Sequence, residues 1–189
     1  VIIPDRVVRD PHQLVQVLAN QDVTRIVLVP SLLNAILDAY PDLQNRLPKL
    51  RFWACSGETL PVQLVQRFRR IMPQATLLNL YGSSEVAADA TWYDTAQLGA
   101  NSPSVPIGRP IANTQIYLLD AHLNPVPVGV PGEICVGGTG VARGYVNNPE
   151  LTADRFVLDS FSEDPDACLF RTGDLARYQP DGNIDYLGR

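Results

Sequence analysis

Asn79-Leu80-Tyr81-Gly82-Ser83-Ser84-Glu85 joins the end of an apolar run to a short polar turn. This segment combines an aromatic ring, a glycine, two hydroxyls and a carboxylate. An aromatic ring stacks on a nucleotide base, hydroxyl and backbone groups hydrogen-bond phosphate oxygens, and a carboxylate binds the Mg²⁺ that accompanies ATP. The same residues also fit a strand that ends in a glycine turn, with serines and a glutamate left in solvent. The rest of the sequence must separate these two interpretations.

The composition indicates a globular protein. Of the 189 residues, 46% are apolar and 19% are charged, which allows one large domain or two small ones. No apolar run approaches the roughly 18 residues of a membrane span, so we expect no membrane partner. The 15 basic and 20 acidic residues give a net charge of -5 and form no basic stripe. Nucleic acid is therefore not expected as a partner.

The cysteines and histidines offer no obvious metal or disulfide site. Cys55, Cys135 and Cys168 are odd in number and widely spaced. This pattern favours a reducing compartment and a cytoplasmic location over a disulfide framework or a zinc site. His12 and His122 fall in a first helical turn and in a loop turn, so we expect both at the surface.

The first 100 residues alternate short apolar runs with amphipathic segments, which predicts an α/β subdomain. Each apolar run has the character of a strand buried on both faces of a parallel sheet. Strands are predicted at Val1 to Ile3, Ile26 to Val29, Phe52 to Cys55 and Thr76 to Leu80. Helices are predicted after the N-cap Asp10, after Ser31, and from Leu64 to Met72.

Three strand-helix-strand repeats imply parallel strands with right-handed crossovers. Ligands of such sheets collect beyond the carboxyl ends of the strands, where helix amino ends also point. Ser31, the Ser56-Gly57-Glu58 turn and the segment from Tyr81 to Glu85 would lie at this edge. The convergence of three polar loops favours the ligand-binding interpretation of the last segment.

Residues 101 to 189 predict a second, antiparallel β-rich subdomain of barrel-like character. Prolines alternate here with short β-type runs. Strands are predicted at Thr114 to Leu119 and Glu133 to Val136, and a short helix near Pro149 to Phe156. A hairpin is predicted between Leu175 to Tyr178 and Ile184 to Leu187.

Two further motifs lie in this second part. GEICVGGTGVARGY, at residues 132 to 145, lacks a Gly-Lys-Ser/Thr sequence, and its glycines do not open a helix after a strand. Glycines that shape tight β turns explain it better than a dinucleotide loop. FRTGDL, at residues 170 to 175, places Asp174 beside Gly173, and such a carboxylate can reach both hydroxyls of a ribose. A capped turn before a strand explains this motif equally well.

Together with IGRPIANTQIYLLD at residues 107 to 120, these motifs resemble the conserved blocks of the adenylate-forming superfamily. That superfamily includes peptide synthetase adenylation domains, acyl-CoA synthetases and luciferases. NLYGSSE, GEICVGGTGVARGY and FRTGDLARYQPDGNIDYLGR occur here in the family's order, and the likeness is closest to the peptide synthetase branch. The resemblance implies an ATP-dependent ligase, in which a carboxylate attacks the α-phosphate of ATP and the acyl group then passes to a thiol.

The resemblance also implies roles for individual residues. Tyr81 would stack on adenine, Ser84 would contact the α-phosphate, and Glu85 would bind Mg²⁺. Asp174 would hold the ribose hydroxyls, and Arg189 would touch the ribose or phosphate. The remaining ATP or AMP contacts would come from Gly57, Glu58, Asn79 and Gly82. Ser83, Ser84 and Phe170 stand where the family usually has proline, threonine and tyrosine.

A pocket for the substrate carboxylic acid is implied as well. Its lining would consist of Val27, Ala54, Ser56, Leu80, Ala88 and Asp89. A carboxylate is costly to bury unpaired, so Asp89 suggests a polar or cationic group on the substrate. A solvated strand residue is the alternative for Asp89. The pocket leaves amino, aryl and fatty acids open as substrates.

The family's phosphate loop with its lysine and its carboxyl-terminal lid lysine do not occur in this sequence. We therefore expect this chain to be a fragment of the large amino-terminal domain, ending at the hinge to the lid, and to be inactive alone. The thiol acceptor would be the phosphopantetheine of a carrier domain or CoA. The alternatives to a peptide synthetase are an acyl-CoA ligase and a nucleotide-binding or interaction module without catalysis.

Overall fold

The computed structural model describes residues 2–189, which form two compact units. The first contains the residues up to Asn79 together with Asp94–Val105. The second contains Leu80–Tyr93 and Pro106–Arg189. In this described range, no helix is both long enough and apolar enough to cross a bilayer.

The first unit alternates helices with short strands. Its strands are β1 (Arg25–Leu28), β2 (Phe52–Cys55) and β3 (Thr76–Tyr81), the last of which continues into the second unit. Its helices are α1 (Asp5–Val8), α2 (Pro11–Asn20), α3 (Pro30–Ala39), α4 (Leu43–Arg46) and α5 (Val62–Ile71). A short 3-10 helix spans Thr95–Gln97.

The start of α2 shows how sequence sets these boundaries. The Asp10 side chain accepts hydrogen bonds from the backbone N–H groups of His12 (2.9 Å) and Gln13 (3.3 Å). These are donors that the first helical turn cannot satisfy itself, and Pro11 adds a backbone angle suited to that turn. The predicted N-cap is confirmed.

Strands β1, β2 and β3 are parallel, as predicted. Val27 is the register partner of Ala54, which in turn pairs with Leu78. One face of this sheet is covered, because Trp53 of β2 is 1% exposed and meets the Phe68 ring of α5 edge to face at 5.6 Å. Buried aromatic pairs of this kind stabilise the layer beyond the area that they bury.

The predicted burial of both faces is wrong for β1, and in β2 it fails only at the first residue, since Trp53, Ala54 and Cys55 are all buried. Val27 is 65% exposed and Phe52 is 48% exposed. Both lie on the face opposite Trp53, because side chains alternate along a strand. An apolar run shows that a strand is hydrophobic, but it does not show whether other elements cover one or both faces of the strand.

The predicted strand at Val1 to Ile3 is also wrong. Val1 lies outside the described residues, and Ile2 and Ile3 are not in a strand. Pro4 precedes α1, which begins at Asp5, and Ile2 is 99% exposed. The first unit therefore has two strand-helix-strand crossovers within the described residues, where the sequence predicted three.

The second unit is a curled antiparallel sheet in the order β10-β9-β7-β6, with β8 paired to β9. The strands of this sheet are β6 (Thr114–Leu119), β7 (Gly132–Gly138), β8 (Phe156–Leu158), β9 (Cys168–Tyr178) and β10 (Ile184–Gly188). The unit also contains β4 (Thr91–Asp94, ending in the first unit) and β5 (Arg109–Pro110), which pair with each other antiparallel outside the curled sheet. Helix α6 (Pro149–Arg155) precedes β8. The predicted strands, helix and β9–β10 hairpin are confirmed in kind and place.

The core of this sheet comes from alternate residues of several strands. Ile116, Leu118, Ile134, Val136 and Ile184 are at most 7% exposed and form one cluster. The sequence motif GEICVGG supplies two of these residues because it is the strand β7 itself. The glycine-rich segment thus forms a strand followed by a turn, as predicted, and does not begin a helix.

Candidate functional site

Asp174 lies in a bulge within β9. The register between β7 and β9 shifts between the pairs Cys135–Arg171 and Glu133–Leu175. Gly173, in the middle of this shift, has a φ of +76°, a conformation that glycine adopts without a steric penalty. The alternative of a capped turn before a strand is wrong, since the motif lies inside an eleven-residue strand.

Glu133 of β7 fixes this bulge. Its carboxylate accepts a hydrogen bond from the backbone N–H of Gly173 (3.0 Å) and two from Arg171, from Nε (3.2 Å) and Nη2 (2.8 Å). The Thr172 hydroxyl donates to the carbonyl of Ile134 (2.8 Å). Bonds to a charged group are the stronger class of protein hydrogen bond. The GEI and RTGD motifs are therefore one structural device that presents Asp174.

Asp174 is the centre of a polar cluster of four side chains. It is 5% exposed, and its Oδ2 accepts a hydrogen bond from the hydroxyl of Tyr81 at 2.7 Å. Its Oδ1 accepts from Nε of Arg189 at 2.8 Å, and the hydroxyl of Tyr186 lies 3.5 Å from the same oxygen. The Tyr81 and Tyr186 rings are tilted by 40° with centroids 5.9 Å apart. Three sequence-predicted residues, Tyr81, Asp174 and Arg189, are thus brought together.

The electrostatics of this cluster favour a neutral phenol at Tyr81 and a charged guanidinium at Arg189. Burial raises the pKa of Tyr81, and the adjacent Asp174 carboxylate raises it further. The hydrogen bond to Asp174 raises the pKa of the Arg189 guanidinium, which stays charged. The phenol, the guanidinium and the carboxylate can each exchange their mutual hydrogen bonds for bonds to ligand hydroxyls.

The segment that follows β3 folds into a tight loop. Gly82 approaches the backbone of Ala88 and Asp89 so closely that a Cβ atom would overlap the Ala88 carbonyl. A 3-10 helix spans Ser84–Val86, and Ala87 (φ 59°) and Ala88 (φ 80°) follow in the left-handed region. Non-glycine residues in that region carry strain of the kind often found at functional sites. Ser84 is exposed at the start of this loop.

Glu85 is held by one hydrogen bond at a side-chain oxygen and one at its backbone. Oε1 accepts from the Tyr145 hydroxyl at 2.8 Å, and the backbone carbonyl accepts from the N–H of Ala142 at 2.8 Å. Burial is the largest single influence on the pKa of Glu85 and raises it, but the Tyr145 hydrogen bond and several smaller contributions, Arg189 among them, together outweigh burial, so that this pKa lies below its usual value. The buried Ser83 hydroxyl also helps to lower it, yet completes no hydrogen bond within residues 2–189.

The oxygen atoms of this loop are of the kind that binds the Mg²⁺ accompanying a nucleotide. Mg²⁺ binds proteins through one or two carboxylates and takes its other ligands from phosphates and water. Glu85 keeps Oε2 outside its hydrogen bond to Tyr145, and Ser83 and Ser84 add hydroxyls beside it. No group of three or more His, Cys, Asp or Glu side chains in the described range could form a metal site from protein ligands alone.

In the first unit, the predicted Gly57-Glu58 turn has a clear structural role. The Glu58 carboxylate accepts from the backbone N–H of Ser31 (3.0 Å) and from its hydroxyl (2.8 Å). This pairing ties the loop after β2 to the first turn of α3, where negative charge is favourable. Gly57 has a φ of +86°. The predicted convergence of these two loops is observed, and the Glu58 oxygens are engaged by Ser31.

The predicted pocket residues of the first unit lie on the face of the sheet opposite Trp53, which is open at Val27 (65% exposed) and covered at Ala54 (8%). Val27 and Ala54 are register partners, and Ser56 follows Ala54 by two positions, so the three share one face. Asn79, predicted to line the base, is 3% exposed. Its register partner is Cys55, so its side chain lies on the opposite face of the sheet from Ala54 and Ser56. Its side chain therefore belongs to the covered layer.

The other predicted pocket residues belong to the second unit. Leu80 is half-buried in β3, and Ala88 is exposed in the strained loop. Asp89 lies between that loop and β4 and is half-buried. Asp89 therefore lies outside the strand that its alternative interpretation assumed, and its side chain keeps part of its surface in solvent.

Sequence reasoning missed three residues that build the site. Tyr145 binds Glu85, Tyr186 approaches Asp174, and Glu133 fixes the bulge that carries Asp174. All three belong to quoted motifs, GEICVGGTGVARGY and the segment that ends in DYLGR. The only signal was a polar side chain inside an otherwise apolar or glycine-rich motif, and its partner lies at least 12 residues away.

Comparison with known proteins identifies the class to which this fold and site belong. The sequence model of the AMP-binding enzyme family matches residues 1–146. The chain therefore belongs to the AMP-binding enzymes. The loop that carries Glu85 and the strand β7 lie within the matched residues.

Individual relatives are peptide synthetases. Phosphinothricin tripeptide synthetase PhsB of Streptomyces viridochromogenes is 45% identical over 183 residues, which cover 96% of this chain and 15% of that protein. PA1221, a protein with adenylation and PCP domains, superposes with a TM-score of 0.86 at 31% identity, over 95% of this chain and 36% of the other. The AMPPNP-bound form of FmoA3 superposes with a TM-score of 0.87 at 31% identity. This superposition covers 95% of this chain and 19% of the FmoA3 chain. The chain spans 2% to 15% of the lengths of the curated relatives that it matches.

Proposed function

We propose that the protein activates a small carboxylic acid, of the amino acid class, for non-ribosomal peptide synthesis. The carboxylate oxygen of the substrate attacks the α-phosphorus of ATP, the bond to the bridging oxygen of the β-phosphate breaks, and pyrophosphate leaves. A phosphopantetheine thiol of a carrier domain then attacks the acyl carbonyl and AMP leaves. The similarity to peptide synthetases, one of them solved with a PCP domain, supports this choice.

The observation that carries the proposal is the Asp174 cluster. A buried carboxylate that accepts hydrogen bonds from a phenol and a guanidinium suits the two hydroxyls of a ribose, each of which can replace one donor. The half-buried Tyr81 ring offers a face for adenine, and stacking of a base contributes about 1 to 3 kcal/mol on comparable aromatic platforms. The AMPPNP-bound relative supports ATP as the nucleotide.

Glu85 and the hydroxyls beside it would hold Mg²⁺ and the phosphates. When bound, Mg²⁺ supplies positive charge against the phosphate oxygens. Within this chain Ser84 is exposed at the start of the 3-10 helix, and Glu85 contributes a carboxylate to which Tyr145 donates a hydrogen bond. Val27, Ala54 and Ser56, with Leu80, Ala88 and Asp89, are proposed to receive the substrate.

We also propose that these 189 residues alone do not form an adenylate. Lys49 is the only lysine of the sequence, and it pairs with Asp22 at 2.7 Å on the surface of the first unit. Charge on a transferring phosphoryl group is ordinarily neutralised by several lysine or arginine side chains together with Mg²⁺. Of these, only Arg189 has a proposed nucleotide role here, and we expect this single cation to be insufficient. Pyrophosphate exchange catalysed by residues 1–189 in isolation would contradict this part of the proposal.

The test is carboxylate-dependent exchange of pyrophosphate into ATP by the natural full-length protein, across amino, aryl and fatty acids. Exchange with one amino acid, followed by its transfer to a carrier-domain thiol, supports the proposal. Exchange followed by transfer to free CoA would make the protein an acyl-CoA ligase. Binding of ATP without exchange by any acid would contradict catalysis and leave a nucleotide-binding module.

A further inference from the structure

We propose that Tyr145 is a positioning residue for the Glu85 carboxylate. Its hydroxyl occupies Oε1 at 2.8 Å, and this fixes the carboxylate so that Oε2 is the oxygen available to a divalent cation. The inference rests on the proposed role of Glu85 in binding Mg²⁺ with ATP. It gives a function to the GY end of the glycine-rich motif, which otherwise has none.

Tyr145 is itself held by its neighbours. Its backbone N–H donates to the Thr152 hydroxyl at 2.9 Å, and that hydroxyl donates to the Asn148 carbonyl at 2.8 Å. Gly144, at φ +137°, lies so close to Thr152 that a side chain would overlap it. The Tyr145 ring meets the Phe156 ring edge to face at 5.5 Å. The start of α6 and the first residue of β8 therefore set where the hydroxyl lies.

The same segment also binds the backbone of Glu85. The N–H of Ala142 donates to the Glu85 carbonyl at 2.8 Å, three residues before Tyr145 donates to the side chain. Gly140 has no side chain, and a Cβ atom at this position would lie 3.3 Å from the carbonyl oxygen of Val86. Residues 140 to 145 thus contact the 3-10 helix at its backbone and at its one carboxylate. A segment that served only to pack against the loop would not need the hydrogen bond from Tyr145 to the Glu85 carboxylate.

The physical effect is preorganisation. A glutamate has three side-chain torsions, and fixing its carboxylate before a cation arrives lowers the entropic cost of binding. Residues that hydrogen-bond a metal-binding side chain typically change metal affinity by about 10- to 100-fold when they are removed. Since Glu85 is only half-buried, we expect the lower end of that range.

The experiment uses the natural full-length protein and measures binding rather than turnover. A fluorescent ATP analogue is titrated in EDTA and then with increasing Mg²⁺, for wild type, Tyr145→Phe and Tyr178→Phe. Tyr178 is the matched control, because its half-buried hydroxyl donates to the Ile116 carbonyl at 2.8 Å in the same unit. We expect Tyr145→Phe to lower the apparent Mg²⁺ affinity about tenfold and to leave metal-free nucleotide affinity unchanged. Tyr178→Phe should alter neither.

Three outcomes would overturn the inference. The first is an unchanged Mg²⁺ affinity in Tyr145→Phe while Glu85→Gln lowers it, which would leave the proposed role of Glu85 standing. The second is an equal loss in Tyr178→Phe, which would indicate a general effect of losing a buried hydroxyl. The third is an unchanged Mg²⁺ affinity in Glu85→Gln, which would remove the proposed metal role as well. Phenylalanine keeps the ring contact with Phe156, and a melting curve of each variant verifies folding.

The double variant supplies a second measurement. If Tyr145 acts through Glu85, then Tyr145→Phe should have no further effect on Mg²⁺ affinity in a Glu85→Gln background. Additive losses in the double variant would show that Tyr145 acts by another route and would contradict the inference.

Discussion

Asp174 and Glu85 are the two carboxylates of the second unit's candidate site, and their surroundings differ. Asp174 is 5% exposed, and each of its oxygens accepts a hydrogen bond from a side chain that a ligand hydroxyl can replace. Glu85 is half-buried, and a single phenol binds one of its oxygens. A saturated, buried carboxylate suits recognition of neutral hydroxyls, whereas a carboxylate with one oxygen left over suits a cation. The local donors, rather than residue type, separate the two roles.

The largest expected effect comes from neutralising Asp174. In Asp174→Asn the shape is kept, but the charge that strengthens the bonds to ribose hydroxyls is lost. Two such bonds, at roughly 1.5 to 3 kcal/mol each with partial compensation, predict about a 100-fold loss of ATP affinity by calorimetry on the natural protein.

The matched control for that variant is Asp185→Asn. Asp185 is 4% exposed in the same sheet and bonds to Arg177 and Gln179. Its neutralisation should leave ATP affinity unchanged. An equal loss in the two variants would mean that buried charge in general, and not the Asp174 cluster, supports nucleotide binding.

A smaller effect is expected from straightening the bulge that carries Asp174. Gly173→Ala forces a side chain onto a residue with φ +76° and should lower the free energy of unfolding by about 1 kcal/mol. It should also weaken ATP binding, because the carboxylate moves. Gly129→Ala is the control: its φ is +84°, and its added Cβ would meet nothing within 4 Å. Urea unfolding should show similar losses in both, and ATP affinity should fall only in Gly173→Ala.

The smallest effect concerns the charge of Glu85. Its folded-state pKa lies below the ordinary value of 4.5, so the ionised side chain stabilises the fold above about that pH and loses this contribution as pH falls through the folded-state pKa. Solvent screening keeps the contribution below about 1 kcal/mol. Melting temperatures of wild type and Glu85→Gln should therefore differ most near neutral pH and converge in acid. A difference that grows with falling pH would contradict this assignment.

The sequence predicted much of the fold and site, for identifiable reasons. Asp10, the apolar spacing in α5 and the proline-glycine turn before β10 are local signals, and local backbone chemistry determines their outcome. The strand at Val1 to Ile3 was wrong because a three-residue apolar run cannot show whether a partner strand exists. The two-sided burial of β1 was wrong for a related reason, since hydrophobicity does not reveal which layer covers a face.

The site residues divide in the same way. Tyr81, Glu85 and Asp174 follow from motifs whose residue types are adjacent in sequence. The hydrogen bond between Glu133 and Gly173 joins residues 40 positions apart in the sequence, and the bond between Tyr145 and Glu85 joins residues 60 positions apart. Neither pairing leaves a spacing that a single sequence could reveal, because the strand register of β7 and β9 and the loop after β7 decide both.

By itself, the sequence determined the chemical groups, the parallel and antiparallel halves, and the motif order of an AMP-binding enzyme. These depend on periodicity and on neighbouring residues, so they can be read along the chain. Only the tertiary structure decided which carboxylate is saturated and which keeps an oxygen, and that Tyr145 and Glu133 hold them. Hydrogen bonds between residues 40 to 60 positions apart form only when the fold brings the donor and acceptor atoms to within about 3 Å of each other.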